Sequence, residues 1–558
     1  MPKEMKKLHC KCISILLKIY IYKQADHYLL LSETIRSIEK MKKKTLVSIL
    51  SIVTFIVLFT GGVFANSLKL DVKEHVLKNG LKLLMLEKHD VPVVCVRINY
   101  KVGSVDERPG ITGVSHLFEH MMFKGTKIFG TRDYSAEKSL LDREDELVMK
   151  IYAEKSNGAS ADRKKTESLE KELEEVRKKL RDLVVKDEVF SLYLRHGASG
   201  LNAATSTDGT YYFCDLPANK LELWAFIESD RMKNLVLREF YSERDVVMEE
   251  RRLRTENSPM GLLIEQLNAI TFIAHPYRWP TIGWRSDVQN ITKAETEEYF
   301  KQYYAPNNAV VVMVGDFNPA DAIKLVEKYF GDIPGQPAPP RVKTVEPEQK
   351  GERRVEVEFE SNPYIAISYH IPAIGHSDLY ALDVLSSLLS DGRTSRLYKS
   401  LIEDKRIAVM AHAYNGIGKY PDTFTFIAVP RAPHAVAEIE SAFYEEIEKV
   451  KKVPPSDWEL QKIKNQLEAE FIRGLNSASG LANEIGHFEV LSDWRYINTF
   501  MDKLAQVTAS DVMRVVNKYL TKNNRTVAIL VKKENNQKTK ETKETKEKNK
   551  LGKSTAAY

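Results

Sequence analysis

Residues 113–125 read GVSHLFEHMMFKG. Val114, Leu117, Phe118, Met121 and Met122 recur at helical steps between two glycines, and the spacing predicts one helix. On a helix, side chains four residues apart stand one turn above each other on the same face. His116 and His120 can therefore offer imidazole nitrogens to one metal ion. Glu119, beside His120, is placed to hold a water molecule and take its proton. Two histidines and a glutamate also meet by chance on charged helices, so the surrounding chain has to decide.

Upstream, residues 73–104 read KEHVLKNGLKLLMLEKHDVPVVCVRINYKVGS. Asn79-Gly80 is a hairpin signal between alternating or apolar segments, so a β-sheet opens the first domain. Downstream, residues 242–256 read SERDVVMEERRLRTE, a second helix rich in carboxylates. A catalytic zinc ion needs a third protein ligand and an open position, and Glu250 is the chosen donor. Glu243, two helical turns earlier on the same face, can orient a ligand or support Glu119, whereas Glu249 points elsewhere.

Between the two helices, residues 136–194 are charge-dense, with Leu169, Leu173, Val176, Leu180 and Leu183 at steps of four and three. An earlier helix carrying Leu140, Leu147 and Ile151 can pair with it across SNGASADRKK as a protruding antiparallel hairpin; a single solvated helix is the alternative. A proline-rich stretch sets a boundary at 334–350, and the strand and helix patterns of 67–333 recur weakly in 351–532. The expected fold is α+β: two similar domains, each a mostly antiparallel sheet with helices packed on one face, with the helical hairpin inserted in the first.

The chain has 558 residues, enough for more than one core, and 83 basic against 77 acidic residues leave no nucleic-acid footprint. Met41 begins a lysine cluster and an apolar run from Leu46 to Phe64 ending in Val-Phe-Ala at residue 65, the pattern of a secretory signal peptide over 41–65. Residues 1–40 then read as a mis-called upstream extension, and export to the periplasm or medium is expected. The alternative is a membrane anchor over 46–64. Residues 533–558, lysine-rich and nearly free of apolar side chains, read as a disordered tail. Cys95 and Cys214 are the cysteines of the mature part, both in strand-like runs, so buried thiols rather than disulfides are expected.

The sequence resembles the pitrilysin, insulysin and mitochondrial-processing-peptidase family in its short two-domain form, whose inverted zinc motif is His-x-x-Glu-His. HLFEHMMFKGT, SGLNAATSTDGTYYF, ERDVVMEE, HPYRWPTIGWRSDVQNIT, YYAPNNAVVVMVGDF and SLLSDGRTSRLYKSLIEDKRIA match in family order across residues 67–532. The resemblance implies a zinc endopeptidase with His116, His120 and Glu250 as ligands, Glu119 as general base and Glu243 as accessory carboxylate. It also implies that Asn202 and Ala203 lie on the edge strand where an extended substrate pairs. Ile402 and Val409 stand where active relatives often carry an Arg and a Tyr that hold the developing oxyanion. That departure implies a heterodimer with a homologous partner subunit supplying the pair; a homodimer is the alternative assembly. A noncatalytic scaffold or peptide-binding subunit is the rival reading. His275, His370, His376, His412 and His487 have no ligand spacing and read as structural.

Overall fold

The computed structural model describes residues 69–532. The upstream extension, the signal segment and the lysine-rich tail lie outside the described residues. Six strands, β1 (Lys73–Val76), β2 (Lys82–Glu87), β3 (Val93–Tyr100), β4 (Ser199–Thr205), β5 (Thr210–Pro217) and β6 (Ala309–Gly315), form the first sheet in the order β1-β2-β6-β3-β5-β4. Five more, β7 (Arg353–Phe359), β8 (Tyr364–Ile371), β9 (Ala408–Asn415), β10 (Asp422–Pro430) and β11 (Arg525–Lys532), form the second in the order β7-β11-β8-β10-β9. Only β2–β6 and β7–β11 are parallel; the other pairings are antiparallel. The α+β expectation therefore holds, and among the described residues β1, β4, β7 and β9 are each left with one unpaired edge.

Alternation along the strands separates the faces. Val96, Ile98 and Tyr100 of β3 join the first core with Leu117, Phe118 and Met121 of helix α1 (Val114–Met121). Phe118 stacks on Phe300 with centroids 5.4 Å apart, and burying such a ring stabilises by about 1.5–3 kcal/mol. The second core is built alike: Phe426 of β10 stacks on Phe443 of the helix Val436–Lys452 at 4.0 Å.

Helix α2 (Tyr134–Ser156) turns through residues 157–162 into α3 (Arg163–Leu183), and the two pack as the hairpin that the leucine stripe predicts. Leu147 and Ile151 are buried together with Leu173, Val176 and Leu180, and Arg177 Nε donates to Glu144 Oε1 at 2.8 Å across the pair. The hairpin is docked rather than free. It packs on helix α4 (Phe240–Arg251), where the Tyr241 hydroxyl donates to Asp145 at 2.7 Å and Arg244 donates to the Tyr152 hydroxyl.

The outer face of each sheet is covered by a helix from the other half. Helix α5 (Pro259–Thr271) sets Leu263 and Leu267 against Ala366, Ala528 and Leu530 of the second sheet. In return, helix α6 (Ala478–Leu491) lies across β3 and β6 of the first. Its buried Glu489 accepts from Lys82 Nζ at 3.0 Å and Lys101 Nζ at 2.9 Å. Sequence patterning foresees each half's own helices on one face; this exchange comes from long-range pairing that periodicity does not encode. Cys95 and Cys214 are buried free thiols. Among the described residues, no helix is long and apolar enough to cross a membrane.

Candidate active site

Helix α1 starts where Gly113 adopts φ +91°, a conformation and a closeness to the Ile282 carbonyl that a Cβ would not tolerate. The buried Glu107 carboxylate accepts the backbone N–H groups of Gly113 and Ser115, both at 2.8 Å, and so caps the helix. Burial pushes the Glu107 carboxyl up to about 8, against these hydrogen bonds. From this fixed start His116 and His120 project together, their rings 4.9 Å apart.

Helix α4 supplies the carboxylates. Glu250 Oε2 lies 3.6 Å from His116 Nε2 and 3.4 Å from His120 Nε2. Metal–ligand bonds of about 2.0–2.1 Å in a tetrahedron put donor atoms about 3.4 Å apart, so this donor set fits zinc. Among the described residues, these three form the one His/Cys/Asp/Glu group with metal-ligand spacing. His120 Nδ1 meets Glu243 Oε1 at 2.8 Å, which turns Nε2 toward Glu250. Lys124 Nζ holds the other Glu243 oxygen at 2.5 Å, and Arg254 holds Glu250 Oε1 at 3.0 Å. Arg254 reaches it from a π-helical stretch, Arg252–Glu256, that continues α4.

Burial, and the charges and hydrogen bonds set against it, decide the protonation of these groups. Burial, with the charges of His120 and Arg254, lowers His116 to about 3, so its imidazole is neutral and free to ligate. Burial also pulls on His120, but the hydrogen bond and charge of Glu243 outweigh it and raise that pKa. Burial raises Glu119, while the Thr205 hydroxyl and His120 oppose the rise. For Glu243 burial is overcome by His120 and Lys124, and its pKa falls.

Glu119 faces β4, where Thr205 Oγ1 donates to its Oε2 at 2.5 Å. Asn202 and Ala203 lie on the same strand, opposite Phe213 and Tyr212 of β5. Being consecutive, they face opposite sides: Ala203 is buried on the α1 side and Asn202 is exposed on the other. Ile402 is half-buried against the second core, and Val409 is 54% exposed on β9, so neither offers a polar group. Sequence reading missed Thr205, Lys124 and Arg254. Arg254 follows Glu250 by four, a helical spacing that could have revealed it, whereas Lys124 lies beyond the end of α1 and reaches Glu243 across the fold. Neither Lys124 nor Thr205 carries such a signal.

A helix bearing His116 and His120, a second helix returning Glu250, and two related sheets define a chain of zinc-protease type. Two family models match: insulinase (peptidase family M16) over residues 82–142, and peptidase M16 inactive domain over residues 290–467. The zinc protease PqqE of Helicobacter pylori is 31% identical over 462 residues, 81% of this chain and 91% of that protein. The crystal structure of a protease from H. pylori superposes with a TM-score of 0.70 at 29% identity, covering 83% of this chain and 100% of that one. The first half of the periplasmic protease PqqL from Escherichia coli shares the fold, with a TM-score of 0.60 at 16% identity over 83% of this chain and 93% of that one. The chain belongs to peptidase family M16.

Proposed function

We propose that this chain is a zinc-dependent endopeptidase that hydrolyses extended peptides or unfolded segments added as a strand to the open edge of β4. The observation that carries this reading is the convergence of His116, His120 and Glu250 with the Glu119 carboxylate, which is hydrogen-bonded to that same strand. Bound zinc would supply Lewis acidity that polarises a scissile carbonyl. His116, His120 and Glu250 would hold it, with Glu243 fixing the ring of His120. Glu119 takes the proton of the attacking water and passes it to the leaving amine. The β4 backbone at Asn202 and Ala203 aligns the substrate chain through main-chain hydrogen bonds.

Glu119→Gln tests the assignment. It is expected to abolish peptide cleavage while leaving zinc content and peptide binding intact, and unchanged cleavage refutes the mechanism.

The apolar Ile402 and Val409 support a further step: the chain works as the zinc-bearing subunit of a heterodimer whose homologous partner supplies an Arg and a Tyr. A single oxyanion donor contributes about 3 kcal/mol. The purified chain alone should be nearly inactive and gain activity with a homologous subunit that carries the pair; full activity alone overturns this. The same apolar positions favour the second reading, a peptide-binding subunit without catalysis, for which Glu119→Gln changes nothing measurable. The segment at 41–65 and the fold shared with a periplasmic protease support export, testable by N-terminal sequencing of the mature chain.

A further inference from the structure

We propose that Thr205 is a positioning residue for Glu119, so that the strand receiving the peptide also aims the general base. The inference rests on the reading of Glu119 as base. Thr205 is the last residue of β4, and its hydroxyl donates to Glu119 Oε2 at 2.5 Å; among the described residues the Glu119 side chain makes no other hydrogen bond. A glutamate side chain with three rotatable bonds needs such a tether to keep one orientation.

The tether is itself anchored. After Thr205 the chain makes a tight turn in which Ser206 N donates to Gly209 O at 2.8 Å. The turn packs on residues 103–105, where Val105 N donates to Thr207 O at 2.9 Å. A Cβ on Gly103 would stand 2.5 Å from the Ser206 and Thr207 carbonyl oxygens, so only glycine admits this approach. Asp208, at the tip, accepts the Tyr277 hydroxyl on both oxygens, at 2.9 and 2.8 Å, and the Lys419 N–H at 3.2 Å. The Tyr277 hydroxyl in turn accepts the Tyr420 N–H at 3.2 Å. The loop before β10 thus grips the turn, and the second half of the chain reaches the base through Tyr277, Asp208 and Thr205. This gives the half without metal ligands a part in the chemistry of the first.

Thr205→Val keeps the shape and β-propensity of the residue and removes only the hydroxyl; Thr205→Ser restores it. With the full zinc-loaded chain, together with any partner it requires, and an unstructured peptide substrate, Thr205→Val is expected to lower kcat about 10- to 100-fold, the scale of a misplaced catalytic group. KM, bound zinc and peptide affinity should stay at wild-type values, and Thr205→Ser should recover most of kcat. Equal kcat in Thr205→Val and the wild type overturns the proposal, as does a loss that Thr205→Ser fails to repair. Crystal structures of wild type and Thr205→Val give a readout independent of turnover. The Glu119 carboxylate should leave its single position in the variant; if it stays, Thr205 does not position it. Cleavage that survives Glu119→Gln marks failure of the base assignment instead, and the crystallographic comparison still decides the role of Thr205.

Discussion

His120 Nδ1 and Glu243 Oε1 lie 2.8 Å apart, although 123 residues separate them in the chain. The contact joins α1 to α4 and fixes which imidazole nitrogen is left to ligate. Lys124 holds the other Glu243 oxygen, so the carboxylate keeps its charge and its place.

Glu243→Gln should therefore weaken zinc binding about 10- to 100-fold without removing a ligand. Competition with a chromophoric chelator measures this; affinity equal to the wild type would show that Glu243 does not orient His120.

Removing zinc should also destabilise the chain, because the ligands hold α1 against α4. A metal at 100 times its Kd adds about 2.7 kcal/mol. Dialysis against a chelator should lower Tm and added zinc should restore it, whereas Glu250→Ala and His116→Ala should respond to neither.

Glu137 of the inserted hairpin and Arg238, just before α4, are almost fully buried and meet at 2.6 Å. Arg238 also donates to the carbonyls of Lys124, Thr126 and Phe129. Glu137→Ala leaves a buried guanidinium without its counter-charge, a cost of about 3–5 kcal/mol. Urea unfolding should show it, and a loss under 1 kcal/mol would mean that the hairpin is only loosely docked.

Asp383 gives a pH signature. Its Oδ1 accepts from Asn415 at 2.7 Å, while Oδ2 is sealed without a partner among the described residues. Burial, only partly offset by Asn415, raises its pKa to about 7 from the ordinary 3.8. The folded state thus keeps a proton that the unfolded state has released. Its contribution is complete below pH 3.8 and is lost as pH rises through about 7, at up to about 1.4 kcal/mol per pH unit. Asp383→Asn should flatten the fall in urea midpoint between pH 5 and pH 7.5; the same slope in both proteins would place the carboxyl in solvent.

The two cores follow from strand alternation, and β1 and β2 meet across Asn79-Gly80 with Gly80 at φ +90°, where the hairpin signal stands. The leucine stripe of 169–183 anticipates the α2–α3 hairpin but not its docking on α4. That docking depends on Tyr241–Asp145 and Glu137–Arg238, pairs about 100 residues apart that have no periodic spacing. The exchange of α5 and α6 between sheets escapes sequence reading for the same reason: an apolar stripe says that a helix is covered, not by which sheet.

The sequence by itself determined the motif helix and the pairing of His116 with His120, because a four-residue step on a helix fixes relative position from local geometry alone. It also pointed to Glu243 and Glu250 as two same-face carboxylates. Only the tertiary structure decided that Glu250 converges on both imidazoles, that Glu243 orients His120, and that Thr205 holds Glu119. Each of these depends on where separate elements come to rest against a shared core, and that is set by packing over the whole chain.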